Sequence, residues 1–263
     1  MTQFIAQGYP AYAYTGGRPF DPTLPTVVFV HGAAFDHSVW QWQSRYLAHH
    51  GRSVLAVDLP GHGRSPGALR ESIEQWAEWL AAFIAAAGLA KPALVGHSMG
   101  SLIVLATALA DPRRISRFAL VGTAAPMPVN DAFMDAARDE PAVGLQMEAV
   151  WGHARNVQLA SSAVPGSSLL DATGRLNQRS KPGALLAALK ACNAYRAPLD
   201  KVRALDIPVL VVAGKRDQMT HFKAGKGLAA EIPGAKFAAL DAGHSMMSEA
   251  PRELLGVLRE FLL

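Results

Sequence analysis

The chain has a single cysteine in 263 residues, Cys192. One thiol excludes an intramolecular disulfide and fits a reducing compartment. Cys192 lies in a helix-like stretch, 185–195, with no histidine nearby in sequence, so it reads as a buried structural thiol. Long apolar runs are missing as well: the longest candidate, 79–90, is alanine-rich and short of the roughly 18 to 20 residues of a membrane span. The first ten residues carry neither a basic n-region nor an apolar h-region, so no secretory signal is read and a cytoplasmic protein is expected. Charge is sparse. Only 17% of residues are charged, the net charge is +4, and no basic run exceeds Arg113-Arg114. Nucleic-acid binding needs clustered basic residues, so no such partner is expected. No Cys/His cluster suggests a metal, and no internal repeat or low-complexity segment is present.

What the chain does have is apolar mass. Half its residues are hydrophobic, which at this length supports one large α/β domain with an insertion. Two short alternating segments, 4–7 and 12–14, predict an antiparallel edge pair, and 16–25 is a Gly/Pro-rich loop. The runs 26–30 and 53–58 are continuous, β-branched and apolar, as strands buried on both faces are. Further strands are predicted at 93–95, 115–121, 207–213 and 236–240. Between them lie helical patterns at 38–50, 71–87, 101–110, 222–231 and 251–263. This alternation predicts a mainly parallel sheet covered on both faces. It breaks from 124 to 199, where helix-like pieces (131–139, 143–154, 166–175, 182–195) are separated by Gly, Pro and Ser, and this stretch is read as an inserted helical cap.

Gly96-His97-Ser98-Met99-Gly100 places a serine where a strand turns sharply into a helix. A serine hydroxyl is a weak nucleophile at neutral pH, so it needs a base, a group that orients the base, and donors for the developing oxyanion. Each has a candidate at a strand end, where catalytic groups of open α/β sheets gather. His244, in the loop after the last strand, is the candidate base, and Asp217, after the strand before it, the orienting acid. Asp241 is a rival acid, but only three residues from His244 it is better suited to shaping that loop. The backbone N–H groups of Met99 and Ala33 are the expected oxyanion hole, Ala33 being preferred to Ala34.

Five motifs in this order, His31-Gly32, Asp58-x-Pro60-Gly61-x-Gly63-x-Ser65, Gly96-x-Ser98-x-Gly100, Gly214-x-x-Asp217 and Gly243-His244, resemble the α/β-hydrolase superfamily in its cap-bearing serine esterase branch. The resemblance covers nearly the whole chain outside the cap. It implies an α/β-hydrolase fold: an eight-stranded, mostly parallel sheet flanked by helices, its first pair antiparallel, with a core of 1–123 and 200–263 and a helical cap of 124–199. It also implies Ser98, Asp217 and His244 as a catalytic triad, with no cofactor and no metal. Ser98 stands where haloalkane dehalogenases and epoxide hydrolases carry aspartate, which argues against both. Ser245 after the histidine and Ala33-Ala34 in the oxyanion loop depart from hydrolases of ring meta-cleavage products.

The activity expected is therefore hydrolysis of small to medium apolar carboxylic esters through an acyl-enzyme, with a small-molecule ester as the partner. A C–C bond hydrolase, a cofactor-free perhydrolase and a non-catalytic ligand receptor on the same fold are the alternatives. His31, Gly32, Phe35, Met219, Met246 and Trp151 are the expected pocket residues, and Met127, Phe133, Met134, Met147 and Val150 are further apolar candidates from the cap. Arg155, Arg175, Arg179 and Arg196 are candidates to clamp a carboxylate, with surface solvation the better reading for each.

Overall fold

Side-chain alternation along three buried strands explains why the sheet is covered twice. The computed structural model describes residues 2–159 and 167–263. The chain begins with β1 (Thr2–Ala6) and β2 (Tyr9–Tyr14), followed by β3 (Thr26–Val30), α1 (Gln41–Ala48) and β4 (Ser53–Val57). Next come α2 (Ile73–Ala86), β5 (Ala93–His97), α3 (Met99–Ala110) and β6 (Arg117–Val121). All residues of β3, β4 and β5 are buried. Val28, Val30, Leu55, Val57 and Leu94 point to one face, under Trp76 and Phe83 of α2 and Leu102 and Leu105 of α3. Their neighbours Val27, Phe29, Val54, Ala56 and Val95 point to the other, where Trp40, Leu47 of α1 and Leu254 and Leu258 of the C-terminal helix meet them. With a side-chain period of two, a strand buried on both faces has to be apolar at every position.

Helices alone follow β6 among the described residues until the sheet resumes: α4 (Asp131–Asp139), α5 (Pro141–Trp151), α6 (Arg155–Gln158), α7 (Leu169–Asn177), α8 (Ala184–Ala194) and α9 (Leu199–Arg203). The chain then closes with β7 (Val209–Gly214), α10 (Phe222–Glu231), β8 (Lys236–Leu240), α11 (Met246–Glu249) and α12 (Pro251–Leu262). The eight strands lie in the order β1-β2-β4-β3-β5-β6-β7-β8. β1 and β2 pair antiparallel with each other, as do β2 and β4, and the remaining pairs are parallel. Sequence order reverses around β3, flanked by β4 on one side and β5 on the other, which opens a crevice at the strand ends.

Several boundaries differ from expectation. The first hairpin is longer, because Gln7 (φ 50) and Gly8 (φ 82) make a two-residue turn that continues the pairing to Ala6 and Tyr9. The expected helix 38–50 starts as a 3-10 turn, His37–Trp40, whose Ser38 amide is held by the Asp36 carboxylate, and becomes α-helical only at Gln41. α2 starts at Ile73 because Ser72 caps it, its hydroxyl accepting from Gln75 N at 3.3 Å. α6, α9 and α11 are four or five residues long and carry too few turns to leave a periodic signal. Gly166, the first residue of the expected helix 166–175, lies outside the described residues, and α7 runs from Leu169. No helix among the described residues is long and apolar enough to cross a membrane.

Hydrogen bonds and an ion pair tie the helices between β6 and β7 to the sheet side. Ser245 N donates to the Gly152 carbonyl at 2.8 Å, where α5 ends. Glu249 Oε2 accepts from Ala154 N and from Gly243 N, each at 3.0 Å. Beyond α7, Arg179 pairs with the buried Asp36, and Lys181 Nζ donates to the Ser65 carbonyl at 3.3 Å.

Candidate active site

Ser98 occupies a backbone conformation that an L-residue adopts only under constraint, φ 53 and ψ −122. The glycines on either side explain how the turn closes. A Cβ at Gly96 would overlap the Gly100 carbonyl, and a Cβ at Gly100 would lie 2.5 Å from the carbonyl oxygens of both Val30 and His31. The end of β5, the start of α3 and the loop after β3 are thus packed backbone to backbone, as a sharp strand-to-helix turn requires. α3 begins directly at Met99, two residues earlier than its apolar pattern suggests. Ser101 Oγ lies 2.6 Å from the Ser98 carbonyl and 2.8 Å from Thr123 Oγ1, bracing the elbow from within the helix.

Asp217, in the loop after β7, has both carboxylate oxygens occupied. Oδ1 accepts from the backbone N–H groups of Met219 and Thr220, each at 2.8 Å. Oδ2 accepts from Thr220 Oγ1 at 2.7 Å and faces His244 Nδ1 at 2.8 Å. A carboxylate only accepts, so Nδ1 carries the imidazole hydrogen and Nε2 the lone pair. Burial works against an ionised Asp217, but His244 and the Thr220 hydroxyl and amide outweigh it and hold the carboxyl below its ordinary range. Burial likewise works against a charged His244, yet the Asp217 carboxylate, with smaller contributions from Glu148 and Glu249, raises it above its ordinary 6.5. His244 Nε2 is buried and makes no hydrogen bond among the described residues, Ser98 Oγ included. Contacts of this kind are commonly longer in a free enzyme than in its complexes. The rival acid Asp241 is exposed and pairs instead with Arg216 at 2.8 Å.

Gly32 lies beside the elbow: a Cβ there would stand 3.1 Å from Ser98 Cβ and 3.0 Å from His97 Nδ1. The Ala33 and Met99 backbone N–H groups meet no acceptor among the described residues, which leaves both as donors. Ala33 lines the cavity over Ser98, whereas Ala34 is buried at φ 54. His97 supports the site from below. Its Nε2 donates to the His244 carbonyl at 3.0 Å, its ring centroid is 4.6 Å from that of His244, and burial depresses it to about 3, so it stays neutral.

The cavity that opens on Ser98 has a volume of about 80 Å³. Trp151 and Met219 line it, together with Met127, Phe133, Leu189, Glu148 and Cys192. Four other expected pocket residues do not line it: Gly32, which lies beside the elbow, and His31, Phe35 and Met246. His31 is fully buried, its Nδ1 donating to the Gly32 carbonyl at 2.8 Å and its Nε2 accepting from Leu59 N at 3.1 Å, so it braces the loop that carries Ala33. Phe35 stacks on His97 at 6.2 Å and lines a separate groove with Trp42 and Arg179. Met246 is fully buried in the core beside His244. Among the described residues, Asp36, His37 and Asp58 bring potential metal ligands together, but protein donors already hold them: Arg179 on Asp36, and His37 and Arg64 on Asp58.

Sequence reasoning missed Thr220, His97, Glu249 and Glu148. The signal for Glu148 was available: it stands three residues after Leu145 and three before Trp151, an acid on the apolar face of its helix. It is 4% exposed, its Oε2 accepts from Asn177 Nδ2, and burial pushes its carboxyl up to about 8.

A strained serine elbow beside the end of β5, on this sheet order, defines an α/β-hydrolase. The family model for the alpha/beta hydrolase fold matches residues 25–251, and the chain belongs to that family. It is 30% identical over 254 residues to a pimeloyl-(acyl-carrier protein) methyl ester esterase of Aromatoleum aromaticum, covering 87% of this chain and 94% of that relative. It is 25% identical over 249 residues to 3-oxoadipate enol-lactonase 1 of Acinetobacter baylyi, covering 90% and 88%. Among solved structures, the enol-lactonase from Burkholderia xenovorans LB400 superposes with a TM-score of 0.86 at 23% identity over 99% of both chains, a likeness of fold. The protein is a hydrolase with esterase-like relatives.

Proposed function

We propose that the protein is a serine carboxylic-ester hydrolase acting on small to medium apolar esters, with Ser98, His244 and Asp217 as its triad. The observation that carries this reading is the His244 imidazole, oriented by Asp217 with its Nε2 lone pair free, in the same site as a serine on a strained elbow. His244 Nε2 takes the proton as Ser98 Oγ attacks the ester carbonyl, and the Ala33 and Met99 amides receive the oxyanion. His244 then protonates the departing alcohol. With the acyl group on Ser98, it activates water for the second half of the reaction. The buried aliphatic and aromatic walls of an 80 Å³ cavity favour a short apolar acyl group. Most of these walls come from 124–199, which we read as the cap that sets specificity, over a core of 1–123 and 200–263. The relatives named as an ester esterase and an enol-lactonase support ester chemistry, a lactone being opened by the same steps. We place the enzyme in the cytoplasm, in keeping with its single buried thiol.

The test is a p-nitrophenyl ester chain-length panel on the wild type and Ser98→Ala, with fluorophosphonate labelling alongside. The expected result is turnover that falls with acyl length and an adduct on Ser98, both lost in Ser98→Ala. Full turnover by Ser98→Ala, or no adduct on the active wild type, would overturn the assignment.

A further inference from the structure

The cavity over Ser98 has one acidic wall. Glu148 faces it from α5 among Phe133, Trp151 and Leu189, and Asn177 of α7 is its hydrogen-bond partner. That amide can be oriented from its surroundings. Asn177 Nδ2 also reaches the Leu145 carbonyl at 3.2 Å, and a carbonyl only accepts, so the nitrogen must be on this side. Glu148 Oε2 is therefore an acceptor. Oε1 has no hydrogen-bond partner among the described residues, and a proton on this carboxyl belongs there.

We infer that Glu148 is a specificity-determining residue whose Oε1–H donates a hydrogen bond to a second, uncharged oxygen acceptor on the acyl part of the substrate. The preferred substrates are then short esters carrying an oxo group or similar carbonyl, over plain alkyl esters of the same shape. This rests on the ester-hydrolase reading above and narrows it. Burial pushes Glu148 up to about 8, so at pH 7 the side chain is an acid and hence a donor. A donor left without an acceptor in an apolar enclosure is costly, and a carbonyl on the substrate removes that cost. No cation is among the described residues that line the cavity, so an anionic acyl tail would find none there to receive it. The titratable groups facing Glu148 are His244 with Asp217 below it, and Cys192 on α8, whose thiol burial holds at about 12. His244 acts on every ester alike, so its titration cancels in a ratio of two substrates.

Methyl 4-oxopentanoate and methyl 4-methylpentanoate differ by a carbonyl in place of a methyl branch. The experiment measures kcat/KM for both, from pH 6 to 9, in the wild type, Glu148→Gln and Glu148→Met. The wild type is expected to prefer the oxo ester by about tenfold at pH 7, the scale of one buried neutral hydrogen bond, and to lose that preference as pH rises through about 8. Glu148→Gln accepts from Asn177 and still donates an N–H, so it should keep the preference at every pH. Glu148→Met should abolish it. A ratio that is the same in all three proteins overturns the inference. So does a preference for methyl 4-(trimethylammonio)butanoate that grows with pH, which would make Glu148 an ionic partner. A wild type that hydrolyses both esters without discrimination sinks this inference alone, whereas a folded wild type that hydrolyses neither sinks the ester reading with it.

Discussion

Asp217 Oδ2 lies 2.8 Å from His244 Nδ1, although the two residues are 27 positions apart and come from the ends of different strands. Thr220 Oγ1 closes the triangle, 2.7 Å from the carboxylate and 3.2 Å from the imidazole. The carboxylate has no freedom to turn, and the imidazole has one tautomer available.

This geometry sets a pH limb. With His244 as the proposed base, which must be neutral to act and is raised above 6.5, kcat/KM should fall as pH drops through a value above 6.5. In Asp217→Asn the charge that does most to raise His244 is gone, and burial is opposed only by the smaller contributions of Glu148 and Glu249, so His244 is lowered. The acid limb should therefore move to lower pH while kcat drops by about 10⁴-fold. A pH–rate profile of the two proteins checks both effects. A limb that stays in place would show that Asp217 does not govern His244.

The elbow predicts an unusual stability ranking of two variants at Ser98. Glycine adopts φ 53, ψ −122 freely, whereas alanine keeps the strain that Ser98 bears, of order 1–3 kcal/mol for such conformations. Part of that gain is offset by glycine's greater freedom in the unfolded chain. Ser98→Gly should still be more stable than Ser98→Ala, by about 1 kcal/mol, in urea unfolding. In an ordinary helix interior the order would be reversed.

Glu148 should leave a mark on stability as well as on specificity. Its carboxyl is near 8 in the folded protein against an ordinary 4.5, so between those values the folded state holds a proton that the unfolded state has released. Stability from this group is full below about 4.5 and is lost as pH rises through about 8. Glu148→Gln removes the titration. Its melting temperature relative to the wild type should therefore climb between pH 6 and pH 9. A difference that does not change with pH would rule this account out.

Much of this was legible beforehand, for identifiable reasons. The ranges 131–139, 222–231 and 236–240 match α4, α10 and β8 because strong periodicity or a clean apolar run is bounded by turn residues. The start of α1 was less legible, since Asp36 holds a 3-10 turn there first. His31 was expected in the pocket by its place in the motif. It lies one layer below, because the same loop has to be anchored to Leu59 before Ala33 can face the cavity.

By itself the sequence determined the order of strands and helices, the serine elbow and the polar residues at strand ends. These follow from local rules: apolar period, glycine where a Cβ would collide, and acids or histidines in the loops that such a sheet gathers at one edge. Only the tertiary structure decided which buried polar groups face one another. Asn177 is 29 residues from the carboxyl it orients, and Glu249, which also holds Gly243, reaches Ala154 across 95 residues. Such contacts have no sequence period. They arise because each polar group buried by packing must find a partner in whatever element lies across from it.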